Sequence, residues 1–313
     1  MEIECRYAGS LLGLACGDAL GTTLEFASPG SYQPILDNQG DGPFQLPAGY
    51  WTDDTSMAMC LGESLLECGG FDAADQMNRY VRWWKEGYWS SAGRCFDIGN
   101  VTRAAIESYI RTGEPVSPLK DPRLAGNGSL MRLAPAVLYF RVDKAEAIRM
   151  AGESSRTTHA AQACVDSCRY LASLILGALE GVDKVELCEP MFSPAGHKWG
   201  RGPLHPEVEA VAQGSFRREQ PPHIQASGYV VRSLEAALWA FFHGGDFEEG
   251  ALKAVNLGGD ADTIGAIYGQ LAGAYYGEEA IPERWRRHLH RGGEIRAMGR
   301  RLLAASSGRP GGV

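Results

Sequence analysis

Apolar positions return every three or four residues along most of this chain. Cys164, Cys168, Leu171, Ile175 and Leu179 form one stripe, and Val230, Leu234, Ala237, Leu238 and Phe241 form another. Met57, Leu61, Ser64 and Leu65 give a third, just after an Asp53-Asp54 pair. Stripes of this spacing lie on one face of an α-helix. No convincing run alternates with the period of two that a half-buried strand requires. The pattern predicts an all-α protein, a single compact domain over residues 1–305 with no internal boundary and no solenoid repeat.

Two of the predicted helices carry glycine at every fourth position: Gly9, Gly13, Gly17 and Gly21 in one, Gly265, Gly269 and Gly273 in the other. Glycine inside a helix costs about 1 kcal/mol per position relative to alanine. A face without side chains repays that cost if two helix backbones approach closely, as small-residue faces do elsewhere. The expectation is a central pair of helices, packed so that Asp18 and Glu25 come near Asp260 and Asp262. Residues 190–227, rich in proline and glycine, are expected to be a long loop with one short helix. Residues 306–313, Ser-Ser-Gly-Arg-Pro-Gly-Gly-Val, read as a disordered tail.

At 313 residues and 44% hydrophobic content the chain can bury a large core. A net charge of −8 and a pI near 5.5 withhold the basic surface that general nucleic-acid binding needs. They leave room for a small anionic ligand held locally. The longest apolar run, within 158–180, is interrupted by Arg169, Tyr170 and Ser173, short of the ~18 residues of a membrane span. The N-terminal Met-Glu-Ile-Glu-Cys-Arg lacks the basic start of a signal peptide. Eight cysteines form no CxxC pair, and the expectation is reduced, buried thiols in a cytoplasmic protein.

Residues 256–265 read Asn-Leu-Gly-Gly-Asp-Ala-Asp-Thr-Ile-Gly, and residues 51–55 read Trp-Thr-Asp-Asp-Thr. Each puts carboxylates and a threonine hydroxyl at the mouth of a predicted helix. Aspartates in that position can be N-caps. Adjacent carboxylates also repel each other unless a cation lies between them. Two such oxygen clusters point to hard divalent cations, Mg²⁺ or Mn²⁺, and to hydrolysis. Two other metal motifs fail on the letters. Asp-x-Asp-x-Thr would need threonine where Ile264 stands, and Asp-Asp-x-x-Asp would need aspartate where Met57 stands. Gly126-Asn127-Gly128-Ser129 reads as a turn that opens a helix and offers backbone N–H groups to a phosphate or ribose, or as an ordinary turn. His159, in a Thr157-Thr158-His159 start to the long helix, can cap or touch ligand. Asp97, in Phe96-Asp97-Ile98-Gly99-Asn100, reads by itself as an N-cap.

Together, in this order, the segments 17–25, 51–55, 96–100, 126–132, 158–159, 228–231 and 258–265 resemble the ADP-ribosylglycohydrolase family, over roughly Tyr7 to Trp285. The resemblance implies an orthogonal all-α bundle. It implies a site for two divalent cations, Mg²⁺ or Mn²⁺, made by Thr52, Asp53 and Asp54 with Asp260, Asp262 and Thr263. It makes Glu25 a carboxylate near the metals that handles the proton, with Asp260 as a further catalytic candidate. The Phe96–Asn100 segment looks most like the branch that includes the dinitrogenase reductase-activating glycohydrolase, which cleaves ADP-ribose from arginine. There Asp97 would face the guanidinium, a natural partner for a planar cation, beside Gly99. Asn127, Gly128 and Ser129 would hold the phosphates and His159 the ribose. The implied partner is an ADP-ribosylated protein, such as dinitrogenase reductase, and the product is ADP-ribose. Ala160 and Ala161 and the 190–227 loop depart from the pattern, which bears on partner choice. Cleavage of serine-linked ADP-ribose or of a free ADP-ribose derivative is the alternative activity. A non-catalytic ADP-ribose-binding protein is a third, disfavoured because all six metal-site residues are retained.

Overall fold

The computed structural model describes residues 1–194 and 199–308. Regular structure among them is helical, apart from two isolated bridges, Asp41–Leu46 and Gly126–Tyr229. In chain order the α-helices are α1 (Ile3–Gly21), α2 (Asp53–Cys68), α3 (Ala73–Glu86), α4 (Asn100–Thr112), α5 (Ala134–Phe140), α6 (Lys144–Arg156), α7 (Gln162–Leu179) and α8 (Lys184–Leu187). Then follow α9 (Pro206–Ala212), α10 (Ser215–Arg218), α11 (Val230–His243), α12 (Phe247–Val255), α13 (Ala261–Tyr276), α14 (Glu283–His288) and α15 (Gly292–Ser307). The all-α expectation holds.

The centre of the molecule is the pair α1 and α13. Nearly every residue of both is buried. They run antiparallel, with Gly9 against Gly273, Gly13 against Gly269 and Gly17 against Gly265. A Cβ at any of these six positions would collide with the backbone carbonyl of its partner. The expected glycine faces therefore meet, and they leave no room for alanine. Gly21 closes the series against the backbone of Asp262. The C-terminal end of α1 thus lies beside the N-terminal start of α13, which fixes where the acidic residues of both segments meet.

Side chains lock this pair to its surroundings. Arg6 donates through one guanidinium nitrogen to the carbonyls of Ala178, Ala274 and Tyr275, which ties the C-terminal ends of α7 and α13 together. Gln270, fully buried on α13, accepts from the N–H of Ala134 and donates to the carbonyl of Leu130, so it anchors the start of α5.

Several boundaries differ from expectation. Asp53 and Asp54 lie inside the first turn of α2 and do not precede it. The Gly126–Ser129 turn does not open a helix directly, because α5 starts only at Ala134. Thr157–His159 falls between α6 and α7 and does not begin the long helix. Within 190–227 there are two short helices, α9 and α10, and a 3₁₀ turn at Trp199–Arg201; Gly196 lies outside the described residues. The expected tail from Ser306 starts too early. Helix α15 runs to Ser307, and Ser306 is buried with its hydroxyl 3.0 Å from the Tyr7 hydroxyl. Residues 309–313 lie outside the described residues. All eight cysteines are unpaired; five are buried, and Cys68 is exposed. Among the described residues no helix is long and apolar enough to cross a membrane.

Candidate active site

The site grows from the junction of α1, α2 and α13. Asp18, in the last turn of α1, is fully buried. Its Oδ1 accepts from the N–H and the hydroxyl of Thr52, both at 2.9 Å. Its Oδ2 accepts from the N–H and the hydroxyl of Thr55, at 3.0 and 2.6 Å. One carboxylate therefore takes the unpaired N–H groups at the entry of α2 and sets the direction in which Asp53 and Asp54 project. The Thr52 hydroxyl is also 3.0 Å from Asp54 Oδ2. It is engaged by two protein carboxylates at once.

A second tie sets Glu25. The N–H of Phe26 donates to the carbonyl of Gly259 at 2.6 Å, and the N–H of Gly259 donates to the carbonyl of Ala27 at 2.8 Å. The chain after α1 is thereby stitched to the chain before α13. Gly259 has φ +62°, and a Cβ there would lie 2.6 Å from the carbonyl oxygen of Ala226, so only glycine passes this point. Asp260 stands in the N-cap position of α13 but makes no side-chain cap bond. Its Oδ2 accepts instead from the Asn127 amide at 2.7 Å.

The carboxylates converge in two groups that share Asp262. Asp18, Asp54 and Asp262 offer oxygens within 4.8 Å of one another, and so do Glu25, Asp260 and Asp262. Asp54 Oδ1 and Asp262 Oδ2 are buried with no hydrogen-bond partner. Burial first, and neighbouring carboxylates second, raise Glu25, Asp53, Asp54, Asp97 and Asp262 above the usual range; burial also raises Asp260. Buried acids that repel one another and keep orphaned oxygens have the donor set a divalent cation requires. The residues present fit that group. The N-termini of α2 and α13 both end here, and their dipoles favour the same negative charge.

Above the acids lies a cavity of about 770 Å³, in the range of small-molecule sites. Of the residues singled out in the sequence, Glu25, Asp53, Asp97 and Gly99 line it. Asn127, Gly128, His159, Asp260 and Thr263 line it as well. Thr52, Asp54 and Asp262 lie beneath its floor, buried to within about 1% exposure. Ser129 does not belong with them. Its hydroxyl points inward, 2.8 Å from Ser155 Oγ, and takes no part in the wall. Asp97 is no N-cap: Gly99 holds that position for α4, and Asp97 has φ +55°.

The Gly126–Gly128 turn is held from two sides. The N–H of Asn127 donates to the carbonyl of Gly228, and that of Val230 donates to the carbonyl of Ala125. From below, the fully buried Arg132 donates to the carbonyl of Gly128 and to the Thr158 hydroxyl, each at 2.8 Å, with its guanidinium 4.7 Å from the centre of the Tyr80 ring. The Thr158 hydroxyl is 2.8 Å from His159 Nδ1. Burial, and then the charge of Arg132, lower His159 to about 3, so the imidazole is neutral. A Cβ at Gly128 would come within 2.8 Å of the His159 ring. The sequence reading missed the work of Asp18, although its place beside Gly17 was the signal. It also missed that the side-chain amide of Asn127 is used to orient Asp260.

A helical body whose acidic helix ends meet under one cavity defines the class. The chain belongs to the ADP-ribosylglycohydrolase family, whose profile matches residues 1–311. Among particular relatives, it is 43% identical to ADP-ribosylarginine hydrolase Tri1 of Pseudomonas putida (strain GB-1), across 90% of this chain and 73% of that protein. It is 33% identical to the ADP-ribosyl-[dinitrogen reductase] glycohydrolase of Rhodospirillum rubrum, across 91% of this chain and 90% of that protein. A solved structure, described as an ADP-ribosylglycohydrolase-related protein complex, superposes with a TM-score of 0.86 at 45% identity, covering 97% of this chain and 99% of the other.

Proposed function

We propose that this protein is a hydrolase that removes ADP-ribose from arginine side chains with the help of two divalent cations, Mg²⁺ or Mn²⁺. The observation that carries the reading is the pair of acidic groups sharing Asp262, with two orphaned oxygens, beneath a cavity of nucleotide size. Two relatives, at 43% and 40% identity, are named ADP-ribosylarginine hydrolase. An ADP-ribosylated protein is the partner this implies, and the cytoplasm is where such a protein would meet it.

Asp54, Asp260 and Asp262, joined by Asp53, Glu25 and Thr263, would hold the cations. When bound, such cations supply Lewis acidity, orient the ribose hydroxyls and make water a competent nucleophile near neutral pH. The chain's own residues do the rest. Asp18 and Thr52 hold the α2 entry in place, and Asn127 fixes the Asp260 carboxylate. The Gly126–Gly128 turn presents backbone to the phosphates while neutral His159 packs behind it. Water adds to the ribose C1″ and the C1″–N bond breaks. The proton lost from water ends on the leaving guanidine nitrogen, so arginine departs as guanidinium. Glu25, buried and held in its protonated form by burial and neighbouring carboxylates, would carry that proton. Asp97 would face the guanidinium.

The test is release of ADP-ribose from arginine-modified and serine-modified peptides, with Mn²⁺, with Mg²⁺ and in excess chelator. The expected result is metal-dependent release from the arginine peptide. Full release in chelator, or release confined to the serine peptide, would overturn the reading.

A further inference from the structure

Phe26 follows Glu25 directly and is conformationally expensive. Its φ is +60°, in the left-handed region that bulky residues avoid. The residue is 65% exposed, so burial offsets little of that cost. The backbone bond from Phe26 N–H to Gly259 explains the path of the chain, but glycine or asparagine would follow that path at lower cost. The fold therefore supplies no reason for a phenyl ring at this position. The ring borders the cavity that Glu25 and Asp97 also line. It is braced from outside: Phe44 stands edge-on to it at 6.0 Å between centroids, and half-buried Phe96, next to Asp97, packs on Phe44 at 5.4 Å.

We propose that Phe26 is a stacking platform for the guanidinium of the leaving arginine, with Phe44 and Phe96 as its buttress. The inference rests on the arginine reading above and deepens it. A guanidinium is planar, always charged and weakly hydrated on its faces. A carboxylate binds its N–H edge, whereas an aromatic ring binds its face. Asp97 and Phe26 border one cavity and offer these two surfaces. The arrangement selects a flat delocalised cation, which a serine hydroxyl leaving group is not. Phe26 follows Glu25 in the chain and borders the cavity with Asp97, and the ring is assigned on that pairing to the leaving group rather than to the nucleotide.

The test compares Phe26→Ala, Phe26→Leu and Phe26→Tyr with the parent in the full chain with Mn²⁺. The readouts are kcat/KM on an ADP-ribosyl-arginine peptide and calorimetric Kd for ADP-ribose. Phe26→Ala and Phe26→Leu should lower kcat/KM about three- to thirtyfold, the span of one cation–π contact. Phe26→Tyr, which keeps the ring, should restore most of it, and the Kd for ADP-ribose should hold in all three. Leucine as good as phenylalanine would show that only bulk matters and overturn the platform. So would a Phe26→Ala variant that weakens ADP-ribose as much as it slows turnover, since the ring would then serve the nucleotide. A parent that releases nothing from arginine would remove the proposed function itself and the platform with it. A fully active parent beside a fully active leucine variant removes the platform alone.

Discussion

At the scale of single residues, the site separates side chains that face the cavity from those that aim others. Asp18 spends both oxygens on Thr52 and Thr55, and Asn127 spends its amide on Asp260. Asp97 is different, because it borders open cavity and its acidity is weakened by burial and by Asp260. A site that neutralises a permanent cation needs a negative charge within its reach. Asp97→Asn keeps the shape and removes that charge. A charge-assisted hydrogen bond is worth about 1.5–3 kcal/mol, so kcat/KM on arginine-linked substrate should fall roughly tenfold to a hundredfold. The Kd for free ADP-ribose should change little. Equal losses in both measurements would assign Asp97 to the cation or nucleotide site.

At the scale of elements, α1 and α13 carry the positioning. Their glycine faces bring two backbones into direct contact, and the antiparallel pairing from Gly9–Gly273 to Gly17–Gly265 ends at Asp18 and Asp262. Any residue with a side chain on this seam has to push the helices apart. Gly269→Leu should destabilise the protein by roughly 1–3 kcal/mol or more through overpacking. Urea unfolding followed by circular dichroism measures it, and an unchanged midpoint would contradict the seam as the main constraint. The pairing was legible because the glycines recur with the helix period, which is a local signal. The boundaries were less legible. Asp53 and Asp54 read as residues ahead of a helix but lie inside α2, because the buried Asp18 carboxylate takes the entry N–H groups that a local cap would have taken. The Gly126–Ser129 turn read as a helix opening, yet its backbone is used against Gly228 and Tyr229, far along the chain.

At the scale of the whole molecule, the acidic junction links three helices and should couple cation binding to stability. A cation that binds only the folded junction stabilises it by mass action, about 2.7 kcal/mol at a hundredfold excess over Kd. Mn²⁺ or Mg²⁺ should therefore raise the thermal midpoint, and chelation should return it to the metal-free value. Asp260→Ala and Asp262→Ala should abolish activity and shrink the metal-induced shift, while the far-ultraviolet helical signal stays. Activity surviving in either variant, or a midpoint indifferent to metal, would argue against the acidic groups as cation sites.

The order of residues alone determined the helical periods, the two small-residue faces and the stock of carboxylates at residues 53, 54, 260 and 262. Those are local properties of spacing and chemistry, so they can be read without coordinates. Tertiary structure decided which oxygens remain free. The Thr52 hydroxyl turns its proton toward Asp18 and Asp54, which leaves its oxygen lone pairs for a cation. Ser129 looked like a ligand contact but turns to Ser155. Phe26 showed nothing in the sequence, yet it stands exposed at the cavity edge in a left-handed conformation. The direction of a side chain depends on partners dozens to hundreds of residues away, and only the folded chain brings those partners within hydrogen-bonding distance.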